Sequence, residues 1–191
     1  MAVVRLGSAG CPHPVASVVQ VFALGIDPGL SRCGYGAVRA TSNGPRAEAL
    51  GVLRTDPTAP LPVRLADLQR DLRELISELR PDVVAVERVF FQVNVRTAMS
   101  VGQASGLAMA EAVGAGCEVV QYSPNEVKLA VTGDGSADKV QVQSMVQRLL
   151  LLKSPPRPAD AADAAALALC HLARAGMARR VASAAGARSA R

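Results

Sequence analysis

Aromatic residues are nearly missing from this 191-residue chain, which has no Trp, two Tyr and three Phe. Its core must therefore be built from Ala, Val and Leu, and each Phe is informative. Charged residues are also sparse at 19%, against 50% hydrophobic, which excludes disorder along the whole chain. No apolar run of about 18 residues is uninterrupted, so the sequence contains no candidate membrane helix. The four cysteines (Cys11, Cys33, Cys117 and Cys170) form no CxxC pair, and the two histidines, His13 and His171, make no familiar zinc spacing with them. Reduced thiols in a cytoplasm are the expected state. The first twenty residues lack a secretory pattern, because Gly, Pro and His break their apolar stretch. Residues 1–20 read as a disordered or artefactual leader, residues 21–175 as one folded domain and 176–191 as a basic flexible tail.

The formal charge of +5 is mostly a property of the ends. Arg174, Arg179, Arg180, Arg188 and Arg191 follow the last acid, Asp163, and Arg5 lies in the leader. Between Val21 and Ala173 there are 15 basic and 16 acidic residues, a balance of −1. A basic tail by itself implies only weak, non-specific affinity for polyanions.

Val21–Ile26 is a short apolar run stopped by Asp27-Pro28-Gly29 and reads as a buried strand. Gly34–Arg39 and Ala47–Arg54 read as two more strands, the three forming an antiparallel meander. Leu61, Leu65, Leu68, Leu72, Leu75 and Leu79 recur at gaps of four and three, the spacing of an amphipathic helix closed by Pro81. Val83–Val86 then reads as a strand ending at Glu87, parallel to the first with the Leu helix as crossover. A helix over Asn94–Gly114 carries Ala98, Gly102, Gly106, Ala110 and Gly114 at intervals of four. That smooth stripe could lie against its own sheet or against a second copy of the chain. Glu118–Gln121 is a further strand, and Ser123-Pro124-Asn125-Glu126 has the pattern of a capping box. A loop over Thr132–Ala137 precedes a helix over Lys139–Leu152, and an Ala-rich helix runs from Asp160 to Ala175, stopped by Gly176. The fold class is α/β, a mixed five-stranded sheet flanked by helices.

In that topology Asp27 and Glu87 leave the sheet at the same edge, where open α/β sheets place their sites. Asp160 and Asp163, three apart, share one helix face in its first turn. Taken singly, each acid could be a turn former, a solvated strand end or an N-terminal helix acid. Together they would repel strongly, since like charges raise one another's pKa. A hard, oxygen-seeking divalent cation such as Mg²⁺ is the natural counter-charge.

Gly25-Ile26-Asp27-Pro28-Gly29, Val86-Glu87-Arg88-Val89-Phe90, Gly133-Asp134-Gly135-Ser136-Ala137-Asp138-Lys139 and Ala159-Asp160-Ala161-Ala162-Asp163-Ala164 resemble, in order and spacing, the motifs of the RuvC family of Holliday junction resolvases. The similarity runs from about Phe22 to about Arg174. It implies an RNase H-like nuclease domain over residues 21–175. It also implies a homodimer that nicks four-way DNA junctions symmetrically, leaving 5′-phosphate and 3′-hydroxyl ends, and that works with the RuvA–RuvB branch-migration complex. The family's catalytic and metal-binding carboxylates map onto Asp27, Glu87, Asp160 and Asp163. Two Mg²⁺ ions, with Mn²⁺ as a possible substitute, would add about +4 to a body of −1. Lys128 and Lys139 match family lysines that contact DNA, although two surface lysines are the plainer reading of either alone. Phe90 matches an aromatic that stacks on an unpaired base, whereas Phe91 could equally belong to the core.

Three other function classes compete. Gly-Ile-Asp-Pro-Gly also resembles strings in actin-like ATPases, but those need a second, duplicated domain that 191 residues cannot supply, so no nucleotide cofactor is expected. A binding-only module would gain nothing from four clustered acids. A nuclease for RNA–DNA hybrids is disfavoured by the Phe90 segment and the Gly133–Lys139 loop.

Overall fold

A computed structural model of the chain describes residues 21–88 and 95–189. The leader, Phe90 and Phe91 lie outside the described residues. The elements follow in the order β1 (Phe22–Asp27), β2 (Arg32–Thr41), β3 (Gly44–Arg54), α1 (Leu61–Leu79), β4 (Val83–Glu87), α2 (Val95–Gly114), β5 (Glu118–Tyr122), α3 (Pro124–Thr132), α4 (Lys139–Leu149) and α5 (Ala159–Ser189). The sheet order is β3-β2-β1-β4-β5, with β1, β2 and β3 antiparallel and β1, β4 and β5 parallel.

Strand alternation separates two cores. Leu24, Ile26, Val84 and Val86 face α1 and α2, where Leu68, Leu72, Leu75 and Ile76 are buried. Ala23, Val83 and Ala85 face the layer formed by α3, α4 and α5. Each fully buried Leu, Ile or Val contributes roughly 1.5–3 kcal/mol. Because side chains alternate with period two, Asp27 and Glu87 fall on the same face as Ala23 and Ala85, beneath α5.

That face has almost no side-chain height. A Cβ added at Gly25 would meet the carbonyl of Ala164, one at Gly34 the carbonyl of Asp160, and one at Gly36 the backbone of Ala165. The opposing surface of α5 is Ala161, Ala162, Ala164, Ala165 and Ala168, all buried. Glycine on the strands and alanine on the helix thus let α5 lie directly on the β1–β2 backbone, which fixes where its first turn sits.

Two boundaries differ from expectation. Helix α4 ends at Leu149 rather than Leu152, and Leu151 takes a left-handed φ of 52°. More important, α5 does not stop at Gly176 but continues to Ser189, so the backbone of the expected flexible tail is helical. Gly176 has no positive φ and does not act as a C-cap. A mid-helix Gly costs only about 1 kcal/mol relative to Ala, and the alanines around it offset that.

Candidate active site

β1 and β4 pair in parallel, with Ile26 opposite Val86, so Asp27 and Glu87 emerge side by side. Their carboxyls share a hydrogen bond. Burial, reinforced by the charges of Glu87, Asp163 and Asp160, pushes the Asp27 carboxyl from 3.8 up to about 7. Burial first, and then Asp163, also raises Glu87, opposed by the hydrogen bond from Asp27 and by Lys139. Carboxylates from three distant segments therefore act on one another at one edge of the sheet.

The other two acids are held by cations. Asp160 pairs with Arg32, 128 residues away. Asp163 Oδ2 lies 2.7 Å from Lys139 Nζ. Among the described residues no three His, Cys, Asp or Glu side chains already stand in a coordinating group: two carboxyls share a hydrogen bond and the other two are turned to positive partners.

Lys139 and Lys128 join Asp27, Glu87 and Asp163 around a cavity of about 390 Å³. Lys139 reaches it from the first position of α4, whose start is fixed by a capping box between Asp138 and Gln141. Lys139 is exposed while it pairs with Asp163, and Lys128 is half-buried. The expected capping box of Ser123 and Glu126 is present and orients α3, which carries Lys128.

The stripe on α2 also resolves. Ala104, Ala108 and Ala112 are the residues buried against the sheet. Gly102, Gly106 and Gly114 have nothing within 4 Å of an added Cβ, so the stripe faces away from its own sheet. Cys33 and Cys170 are buried free thiols, and burial raises them to about 12 and about 11, so neither supplies a thiolate ligand at neutral pH.

Arg32 is the residue beside the acids that sequence reasoning missed. The second strand reads from the sequence as Gly34–Arg39, whereas β2 begins at Arg32. The signal was the glycine pair Gly34 and Gly36: period two extends their α5-facing side back to Arg32.

The sheet order agrees with what comparisons with known proteins show. Residues 23–171 match the family described as crossover junction endodeoxyribonuclease RuvC. The chain is 57% identical over 163 residues to the crossover junction endodeoxyribonuclease RuvC of Salinispora arenicola, covering 85% of this chain and 93% of the relative. Among solved structures, Thermus thermophilus RuvC is 37% identical with a TM-score of 0.77, covering 83% of this chain and 97% of that one. T. thermophilus RuvC in complex with Holliday junction substrate superposes with a TM-score of 0.78 at the same identity, covering 83% and 96%. The architecture is the RNase H-like α/β fold, and the chain belongs to the RuvC family of crossover junction endodeoxyribonucleases.

Proposed function

We propose that this chain resolves four-way DNA junctions by paired, symmetric phosphodiester hydrolysis in strands of like polarity, leaving 5′-phosphate and 3′-hydroxyl ends. The observation that carries this reading is electrostatic. Asp27, the acid raised to about 7, feels all three other carboxylates from segments far apart in sequence, with lysines beside them. A buried acidic group of this kind destabilises a fold unless a cation offsets it.

The donor set fits a divalent metal. It offers hard carboxylate oxygens, the buried thiols are protonated, and the repulsion within the group is what a dication relieves. Asp27, Glu87, Asp160 and Asp163 would hold Mg²⁺, with Mn²⁺ as substitute; for Asp160 and Asp163 this requires release from Arg32 and Lys139. Two such ions supply an activated water and neutralise charge developing on the phosphoryl and leaving oxygens. The protein's own part is to fix the acids through the seating of α5 on Gly25, Gly34 and Gly36, and to hold phosphate with Lys128 and Lys139. Phe90, beyond the described residues, is assigned by resemblance to base stacking.

Paired nicks need two sites, and the outward face of α2 with Gly102, Gly106 and Gly114 is where a second copy would pack in a homodimer. We assign the RuvA–RuvB branch-migration complex as partner and the cytoplasm as the place of action. Among the described residues no helix is long and apolar enough to cross a membrane.

The test is a synthetic four-way junction incubated with purified protein and Mg²⁺, with nicks mapped on all four strands. Two symmetric, religatable nicks that vanish in EDTA are expected. Unpaired or sequence-random cutting, or cutting in EDTA, refutes the reading.

A further inference from the structure

On the side of the acidic group away from the lysines, β2 and β3 place Arg32 directly opposite Arg54. Their neighbours Cys33 and Leu53 are buried together on the α1 face, so both arginines project from the α5 face, where Arg32 meets Asp160. Like charges directly opposite across a sheet destabilise it. Yet only one of these two is neutralised: Arg32 by Asp160. Arg54 is exposed, and among the described residues no acid pairs with it.

The backbone that carries the pair is fixed. Thr55, next to Arg54, is buried and donates from Oγ1 to the carbonyl of Leu30 at 2.7 Å. Arg64 from α1 donates to Thr55 Oγ1 at 3.1 Å and also to the hydroxyl of Ser31, next to Arg32. One clamp therefore holds the residues adjoining both guanidinium groups. With strands about 4.8 Å apart, Arg54 stands two strands, roughly 10 Å, from the strand that ends at Asp27.

We propose that Arg32 and Arg54 form a second phosphate-binding element, which grips the backbone of the cut DNA strand on the side of the acids opposite Lys128 and Lys139. Arg32 has two alternative anions, Asp160 and the phosphate, and it changes from the first to the second when Asp160 turns to a divalent cation. The strand then crosses the carboxylates between a lysine pair and an arginine pair, held on both sides of the bond to be broken. This assignment rests on the junction-nuclease reading above.

The test measures junction affinity by fluorescence anisotropy across a salt series in Ca²⁺, so that a divalent cation is there to take up Asp160, with the DNA checked for nicks. Arg54→Gln is expected to weaken binding about five- to tenfold and to lower the slope of log K against log salt by about one. Arg32→Gln is expected to do the same and, on DNA-free protein, to raise Mn²⁺ affinity several-fold by calorimetry, because Asp160 is freed. Arg32→Lys should restore most of the DNA affinity. Arg70→Gln on α1 removes the same unit charge and should stay within twofold of wild type. The proposal is overturned if Arg54→Gln binds within twofold of wild type with an unchanged slope, if Arg70→Gln loses as much, or if Arg32→Gln leaves Mn²⁺ affinity unchanged or lower. A wild-type protein that neither binds nor nicks the junction would sink the nuclease reading instead.

Discussion

Replacing Asp27 by Asn should make the metal-free protein more stable while abolishing cleavage. In the folded protein the Asp27 carboxyl is raised from 3.8 to about 7, chiefly by burial and then by Glu87, Asp163 and Asp160. An acid whose folded-state pKa is raised binds more protons folded than unfolded, so stability falls as pH rises between the two values. Below pH about 4 both states are protonated and the penalty is absent. It grows through the window from about 4 to 7 and is complete above 7, where the shift corresponds to on the order of 4 kcal/mol. Asn cannot ionise, and its amide can donate to Glu87 as the protonated Asp27 does. Part of the penalty remains among the other acids, so a gain of about 2–4 kcal/mol is expected at pH 8, or roughly 5–15 °C in Tm for a domain of this size.

The assay is urea unfolding in EDTA at pH 8 and pH 4, with the wild type and the variant side by side. At pH 4 the two curves should nearly coincide. Mg²⁺ should then stabilise the wild type and do little for the variant, since only a state that binds the ion gains from it. An Asp27→Asn protein no more stable than wild type at pH 8, or equally stabilised at both pH values, would show that Asp27 is not a repelled, buried acid. Retained cleavage would remove it from the site.

Three further outcomes follow from the packing. Gly36→Val should cost about 3 kcal/mol or more and eliminate cleavage, because the added Cβ meets the α5 backbone near Ala165, which cannot yield as a side-chain tip could; thermal melts and junction nicking check both. Gly106→Arg should leave the melting temperature nearly unchanged, since the position opens to free space, but should shift the protein to monomer in sedimentation and suppress paired nicking. Gly176→Ala should stabilise by about 0.5–1 kcal/mol in urea unfolding, as expected for a helix interior; a loss would mean that Gly176 terminates the helix after all.

What the sequence reveals depends on how local the cause is. The Leu repeat of α1, the β-branched run Val83–Val86 and the Ser123–Glu126 cap each state their structure within one short window, and each forms as read. Gly176 misleads because its local signal is weaker than the alanines on either side. The start of β2 is hidden because Arg32 lies outside the alternating run that begins at Gly34, and only pairing with Arg54 of β3 draws it into the strand. The four acids were legible as residue types, and the parallel strand order put Asp27 and Glu87 at one edge of the sheet. What no window contains is the seating of α5 on three glycines, or an ion pair spanning 128 residues. The stripe on α2 shows the same limit. Its period was plain, but its direction depends on Ala104, Ala108 and Ala112 taking the sheet side.

The ion pairs give the site its resting arrangement. Two of the four acids, Asp160 and Asp163, ride on α5 and meet Arg32 and Lys139. The other two end central strands, lie against each other and feel Lys139 only from a neighbouring element. Burial is therefore opposed by external cations on the helix side, while on the sheet side it raises both carboxyls. A dication held by this group would relieve the repulsion that raises Asp27 and Glu87 and would compete for the helix acids with Arg32 and Lys139, the two side chains best placed to turn toward phosphate. Metal and DNA should consequently assist one another, since each takes up a charge that the other releases. Junction affinity measured with a non-hydrolysable arrangement, Asp27→Asn in Ca²⁺ against EDTA, should rise less than that of a Glu87→Gln protein if Asp27 is the acid that couples the two; an equal rise in both variants would place the coupling on α5 alone.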